Sequence, residues 1–311
     1  MSKQLISLLM MSHYNGPLIN RLAKATTPYV RDVTILAFDL WPKFKLARKL
    51  ISPKKLDFVT TLEPFGIRIP IVLLQNIPKS MTVMDIYTKW MANQAVKELN
   101  KLNIHPDLIH AQFIYPGGLI GVHLKKIYDV PLVVTAHGHD IYSLPFLKKD
   151  FMEMTLKVIK NSDHIITVSN SNYEVFKKLN LDDKVTVIPN SYSDELFKPM
   201  EKSKARQTLS LLQDKKIILA VGNLQEIKGH EYLINAIDMA IKKDKTILCS
   251  IIGTGQSRPK LQKLINDLNL NNYVKLVGAK LHDEIPLWMN ACDLFVLPSL
   301  RESFGIVQIE A

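Results

Sequence analysis

The sequence of 311 residues has only two cysteines and no apolar run that approaches the roughly 20 residues needed to span a bilayer. Cys249 and Cys292 lie in apolar patterns without metal-ligand spacing, so we expect buried, reduced thiols. The first residues, MSKQLISLLMMSHYNGP, turn polar too soon for a signal peptide and indicate a buried strand. There is no low-complexity tract, and 47% of residues are hydrophobic, which is typical of a soluble globular protein. These features predict a cytoplasmic location.

The chain has little negative charge relative to positive charge, and its formal net charge is +11. This excess predicts attraction to polyanions but does not select among them. In residues 41–56, Lys and Arg alternate with Trp41, Phe44, Leu46 and Leu50. The pattern favours peripheral docking on anionic lipid at the inner face of the membrane, and a solvated basic loop explains it equally well. We expect no nucleic acid partner.

Short β-branched runs alternate with segments of helical period, and this alternation occurs twice along the chain. It predicts βαβ units with parallel sheets in each half. A polar stretch after Pro189 separates the halves, and we place the domains at 1–197 and 198–311. The predicted strands are 5–11, 33–38, 108–113, 132–137, 164–169, 185–189, 217–222, 247–253, 274–278 and 294–298. The predicted helices include 85–102, 171–179, 229–242, 258–269 and 284–291.

Two carboxylates follow the last predicted strand, with Glu302 in its loop and Glu310 on a helix that starts near Gly305. Ligands of open α/β sheets bind at the carboxyl ends of strands. Backbone N–H groups of Phe304, Gly305 and Ile306 at a helix start favour phosphate oxygens. Carboxylates beside an anion pair instead with neutral hydroxyls, as in sugars. The pattern predicts a sugar-nucleotide site; the alternative is a loop glutamate and a solvent-facing helix glutamate.

The segment from Pro298 to Ala311, PSLRESFGIVQIEA, resembles the hallmark of family 4 retaining glycosyltransferases of the GT-B fold, a Glu, seven residues and a second Glu. Four more segments are similar to this family in the same order: VIPNSYSDELFKP, AVGNLQEIKGHEYLINAI, IIGTGQSRPKLQKLI and VKLVGAKLHDEIPLWMNACDLFVLPS. The resemblance covers nearly the whole chain and is strongest from about residue 185 onward.

This resemblance implies an α/β protein with two Rossmann-like, doubly wound parallel-sheet domains that face each other across a cleft. The first domain would be the acceptor-side domain, and the second would bind the nucleotide-sugar donor. The chain stops at FGIVQIEA without a residue that ends a helix, so we expect a truncated, incomplete second domain.

The resemblance also implies roles for individual residues. Lys228 would bind the donor pyrophosphate, Glu302 the hydroxyls of the donor sugar and Glu310 the ribose. His137, in the segment TAHGHDIY, would contact the donor sugar near the reaction centre. Gly16 would lie in a loop close to donor and acceptor. The alternatives are an ordinary surface lysine at Lys228 and a simple tight turn at Gly16.

Two features of the sequence qualify these roles. Asn223 stands where the family usually has Arg, and a neutral side chain cannot clamp a phosphate with two charged hydrogen bonds. His137, His139 and Asp140 superficially suggest a metal site, but no further His-rich segment supplies a closing ligand. We therefore expect no metal and a structural role for His139.

By resemblance, the chain is a retaining glycosyltransferase that moves a sugar from a UDP- or GDP-sugar to a glycan or lipid-linked acceptor. Such enzymes take part in cell-envelope or exopolysaccharide biosynthesis and would need no metal or other cofactor. A dinucleotide oxidoreductase is disfavoured because Arg258 occupies the third glycine position after Gly253 and Gly255. A catalytically silent nucleotide-sugar-binding fragment or subunit remains the alternative, motivated by Asn223.

Overall fold

The computed structural model describes residues 6–12, 17–37, 54–56, 59–62 and 81–311. The chain divides into two compact units, Met1–Pro189 and Asn190–Ala311. The division falls at the start of the polar stretch that follows Pro189. Each unit contains one sheet, and each is described by itself.

The first unit is built on an eight-stranded sheet with the order β3-β4-β2-β1-β5-β6-β7-β8. All neighbours are parallel except β3 and β4, which form an antiparallel pair. Its strands are β1 (Ser7–Ser12), β2 (Asp32–Ala37), β3 (Lys54–Leu56), β4 (Val59–Leu62), β5 (Leu108–Gln112), β6 (Leu132–Ala136), β7 (His164–Thr167) and β8 (Val185–Val187). Its helices are α1 (Pro17–Thr26), α2 (Met81–Lys101), α3 (Leu119–Tyr128), α4 (His139–Tyr142), α5 (Leu144–Leu147), α6 (Lys149–Asn161) and α7 (Asn170–Lys178).

The burial of the central strand β1 shows that this sheet is covered on both faces. All six of its residues are buried, as expected for a parallel strand with helices on each side. Alternate residues enter different clusters, because successive side chains of a strand point to opposite faces. Leu9 and Met11 belong to the larger core, whereas Leu8 and Met10 pack with Ile19 of α1.

The second unit has a four-stranded parallel sheet with the order β11-β10-β9-β12. Its strands are β9 (Lys216–Val221), β10 (Ile247–Ile252), β11 (Val274–Gly278) and β12 (Leu294–Phe295). Its helices are α8 (Lys202–Thr208), α9 (His230–Ile241), α10 (Arg258–Asp267), α11 (Ile285–Ala291) and α12 (Ile306–Glu310). Across the described ranges of the chain, no helix is both long and apolar enough to cross a membrane.

The predicted alternation of strands and helices is confirmed, although most strand bounds shift by one to three residues and helix α8 forms within the polar stretch after Pro189. The last strand ends at Phe295, and the N–H of Val296 still donates to the Leu219 carbonyl of β9 at 2.8 Å before the chain leaves the sheet. The short pair β3 and β4 was not predicted, since three and four residues are too few to show a period.

Strand order fixes where each sheet can bind a ligand. In the second unit, β10 lies on one side of β9 and β12 on the other, so the strand order reverses at β9. A crevice forms at such a switch point, outside the carboxyl ends of the strands. In the first unit, β2 and β5 flank β1 in the same way. The loop after β1, residues 13–16, lies outside the described residues.

Candidate functional site

The loops after β9 and β12 are held together by their backbones. Gly229, with φ +65°, lies so close to Pro298 that a Cβ atom there would come within 2.1 Å of the Pro298 carbonyl oxygen. The N–H of Leu300 donates to the carbonyl of Ile227 at 2.9 Å. The turn that carries Lys228 is therefore fixed against the loop that carries Glu302.

Lys228 and Glu302 meet at this junction. The Lys228 Nζ lies 2.5 Å from Glu302 Oε1, and the Ser299 hydroxyl donates to the same oxygen at 2.8 Å. The two charged side chains are 25% and 26% exposed, so solvent screens the pair and its contribution to stability is about 1 kcal/mol or less. A cation and a carboxylate thus lie side by side within reach of a ligand.

Three predicted backbone donors follow Glu302, two at the end of its loop and one at the first residue of α12. Helix α12 begins at Ile306, as the sequence indicated, and Gly305 precedes it with φ +74°. A Cβ atom at Gly305 would approach the Gln308 side-chain oxygen to 2.9 Å. The N–H groups of Phe304, Gly305 and Ile306 are consequently placed at the start of this short helix, next to Glu302.

Glu310 occupies the last position of α12 and is not a surface residue. Its side chain is only 7% exposed, and its Oε1 lies 3.6 Å from Nε2 of His282. The His282 ring packs edge-on against Phe197, with ring centroids 5.3 Å apart. The alternative of a solvent-facing helix glutamate is therefore wrong at this position.

Asn223 lies two residues beyond the end of β9 and is exposed. Its carbonyl accepts a hydrogen bond from the N–H of Gln225 at 2.9 Å, which helps to form the turn that leads to Lys228. At this point of the crevice the side chain is a neutral amide.

In the first unit, His137 follows β6 and is held by three neighbours. Its Nε2 lies 2.8 Å from Oε1 of Gln112, the last residue of β5. The Phe113 ring packs on the imidazole with centroids 4.4 Å apart. The backbone N–H of His137 donates to Asp140 Oδ1 at 3.0 Å. Neighbouring strand ends thus fix the position of this histidine.

Asp140 organises the backbone around His137. Its buried carboxylate accepts hydrogen bonds from the N–H groups of Ile114 (2.9 Å), His137 (3.0 Å) and Gly138 (2.7 Å). Burial raises the pKa of Asp140, and these donors oppose that shift. His139, by contrast, is exposed. Among the residues that the structure describes, no group of three or more His, Cys, Asp or Glu side chains could hold a metal ion.

Gln112 and Ser299 were not identified from the sequence, although the residue pattern of β5 indicated an unusual polar position at Gln112. Strand β5 has parallel neighbours on both sides and would ordinarily be apolar throughout. His110 and Gln112 instead alternate with apolar residues and share one face. Gly16 and most of the basic segment 41–56 lie outside the described residues; only 54–56 are placed, in β3.

Comparisons with known proteins agree with this architecture. The sequence model described as Glycosyltransferase Family 4 matches residues 32–196, and that described as Glycosyl transferases group 1 matches residues 201–311. A Bacillus subtilis glycosyltransferase named for teichuronic acid biosynthesis is 27% identical over 223 residues, which cover 71% of this chain and 54% of the relative. An uncharacterized glycosyltransferase of Methanocaldococcus jannaschii is 31% identical over 236 residues, covering 72% and 60%. The chain thus spans little more than half the length of these relatives.

Solved structures show the same fold. Sucrose-phosphate synthase from Thermosynechococcus elongatus aligns with a TM-score of 0.75 at 18% identity, over 98% of this chain and 78% of that one. Anabaena HepE in complex with UDP-glucose aligns with a TM-score of 0.70 at 22% identity, over 98% and 78%. Together with the family match over more than half of its residues, this likeness shows that the chain belongs to glycosyltransferase family 4 and has the GT-B fold.

Proposed function

We propose that this chain is a retaining glycosyltransferase that moves a sugar from a UDP- or GDP-sugar to a glycan or lipid-linked acceptor. The observation that carries the proposal is the pairing of Lys228 with Glu302 at the switch point of the second sheet. Family membership supports the reaction class, and the name of the Bacillus subtilis relative supports a role in cell-envelope polysaccharide synthesis.

The two charged residues suit different parts of the donor. The Lys228 ammonium would stabilise the diphosphate as negative charge grows on the leaving oxygen, a task that a metal ion performs elsewhere, so we propose that no metal is required. Glu302 Oε1 already accepts from Lys228 and Ser299. We assign its second oxygen to a hydroxyl of the donor sugar.

The remaining donor contacts follow from position. The N–H groups of Phe304, Gly305 and Ile306 would donate to phosphate oxygens. Glu310 would accept from the ribose hydroxyls, which have to reach it beside His282. This carboxylate is desolvated, and hydrogen bonds to it are therefore stronger than at an exposed site.

The reaction breaks the bond between the anomeric carbon and the β-phosphate oxygen. The acceptor hydroxyl oxygen bonds to that carbon on the same face, and its proton passes to the leaving phosphate oxygen. No side chain becomes covalently attached. In this scheme His137 would contact the donor sugar near the reacting carbon. The proposed role of Gly16 near donor and acceptor rests on the sequence resemblance alone.

Nucleoside diphosphate release from UDP- and GDP-sugars, measured with a panel of acceptors and with EDTA present, tests the proposal. We expect Glu302→Gln to lower kcat by about 100-fold, the usual effect of removing one aligned group in a polar site. Asp238→Asn is the matched control, because Asp238 lies on α9 of the same unit and its carboxylate pairs with Lys242.

Equal turnover by wild type and Glu302→Gln would remove Glu302 from the site. A protein that binds the donor but never turns it over would be a silent nucleotide-sugar-binding subunit. Donor binding is measured separately by thermal shift, since a ligand at about 100 times its dissociation constant stabilises the folded state by roughly 2.7 kcal/mol.

We also propose a cytoplasmic location with peripheral contact to anionic lipid through residues 41–56. The support is the alternation of basic and apolar residues in that segment. Co-sedimentation with phosphatidylglycerol vesicles that is lost in high salt would support the proposal. If the protein does not bind these vesicles at low salt, the proposal is wrong and residues 41–56 are a solvated basic loop.

A further inference from the structure

Gln112 is a fully buried amide in the first unit, at the carboxyl end of β5. Besides its contact with His137, its Nε2 lies 3.2 Å from Nε2 of His110, which in turn lies 2.7 Å from the Thr135 hydroxyl. Gln112 and Thr135 are direct partners in the register of β5 and β6. A chain of side chains thus runs from Thr135 through His110 and Gln112 to His137.

A buried amide must find partners, because an unsatisfied one costs about 1–3 kcal/mol. An apolar residue would fill the same volume between helices without that requirement. Gln112 therefore brings no packing advantage to the core, and both ends of its amide are directed at histidines. We infer that Gln112 is a positioning residue that fixes the ring orientation and the tautomer of His137. This inference rests on the proposed function, in which His137 contacts the donor sugar.

The amide of Gln112 selects which ring nitrogen of His137 carries a hydrogen. A carboxamide oxygen only accepts hydrogen bonds, so the Nε2 of His137 carries the hydrogen. In the neutral ring, Nδ1 then carries the lone pair. A glutamine adds no charge that would favour an imidazolium. His110 does not add charge either, because burial lowers its pKa to about 4. The amide thereby fixes Nε2 as a donor side of the His137 ring without adding charge next to it.

The backbone around His137 supports the same placement. Phe113, whose ring packs on the imidazole, has φ 68° and ψ 139°, a backbone conformation that a bulky residue rarely adopts. Such strain persists where the surrounding structure over-determines it, and it clusters at functional sites. Three contacts therefore fix His137: Phe113 packs on the face of its ring, Gln112 bonds to its Nε2, and Asp140 accepts from its backbone N–H.

The test uses the full chain with ¹⁵N-labelled histidine, where NMR reports the tautomer of His137 directly. In the wild type we expect the Nε2–H tautomer. Gln112→Leu, similar in size, should abolish this preference, and Gln112→Glu should raise the pH at which His137 titrates by at least one unit, because the carboxylate stabilises the imidazolium. Thr135→Val is the control: it removes the far end of the chain of side chains and should leave the His137 tautomer unchanged.

Turnover is measured on the same variants. We expect Gln112→Leu to lower kcat at least tenfold while the donor KM changes less than threefold, and the control to stay near wild type. An Nδ1–H tautomer in the wild type, or His137 signals that are the same in Gln112→Leu, would overturn the inference. Absence of turnover in the wild type would instead count against the proposed function, because the NMR result does not depend on activity.

Discussion

The contact between Gly229 and Pro298 makes the proposed donor site sensitive to a single added methyl group. In Gly229→Ala the new Cβ would lie 2.1 Å from the Pro298 carbonyl oxygen, and real Cβ atoms essentially never come closer than 3.0 Å to such an atom. The two loops must therefore separate by about 1 Å. Because Leu300 also bonds to Ile227, the movement spreads to the loop that carries Glu302.

The cost has two parts. An alanine in the left-handed region costs roughly 1–2 kcal/mol. Overpacking against a backbone atom that cannot rotate away adds roughly 1–3 kcal/mol. We expect a total loss of roughly 2–5 kcal/mol in the free energy of unfolding, measured by urea denaturation. UDP affinity, measured by calorimetry, should fall about tenfold or more, because a misplacement of about 1 Å is large for a charged contact.

Gly278→Ala is the matched control. Gly278 is the last residue of β11 in the same unit and has φ +93°, and nothing lies within 4 Å of the position that its Cβ atom would take. It carries backbone strain without overlap. We expect it to lose roughly 1–2 kcal/mol of stability and to bind UDP as the wild type does. The reasoning is refuted if Gly229→Ala is no less stable than Gly278→Ala, or if it is destabilised as expected but binds UDP normally.

Other predictions concern stability, reactivity and affinity in the second unit. Arg206 is buried and binds Asp293 and the Ala291 carbonyl, so Arg206→Met should lower the free energy of unfolding, measured by urea denaturation, by roughly 2–3 kcal/mol. Lys202 pairs with the exposed side of the same carboxylate, so Lys202→Met should lower it by less than about 1 kcal/mol. Burial raises the pKa of Asp293, but its hydrogen bonds and cationic partners outweigh burial and lower the pKa below 3.8. The contribution of this carboxylate to stability is therefore present above pH 3.8 and is lost as the pH falls through the lowered pKa. We expect Asp293→Asn to flatten the acid limb of a stability–pH curve. Burial raises the pKa of Cys249 to about 12, and we expect this thiol to react with a maleimide at neutral pH only after unfolding. Asn223→Arg should tighten UDP binding about fivefold, or about 1 kcal/mol, by calorimetry; unchanged affinity would place the turn after β9 away from the phosphates.

Local patterns were enough to predict most of the elements that carry the site. The run SLLMMS and the run ILCSII are apolar and short, and both form parallel strands. The start of α12 after Gly305 was predicted because a glycine there precedes an apolar helical segment. Period and turn chemistry are properties of neighbouring residues, so the sequence shows them directly.

The family motif selected candidate site residues but could not predict their surroundings. Lys228 and Glu302 are 74 positions apart, and their contact depends on β12 joining the sheet beside β9. The burial of Glu310 depends on the ring of His282, which comes from the loop after β11. Periodicity cannot report either contact, because each joins segments that are distant along the chain.

The order of amino acids is enough to establish that this chain alternates strands and helices twice, and that it carries the acidic pair and the Lys-Gly turn of its family. Which atoms meet is evident only in the folded molecule, in the pairing of Lys228 with Glu302 and in the hold of Gln112 on His137. The physical reason is that secondary structure follows from local backbone and side-chain preferences. The geometry of a site follows instead from strand order, which brings loop ends together across many intervening residues.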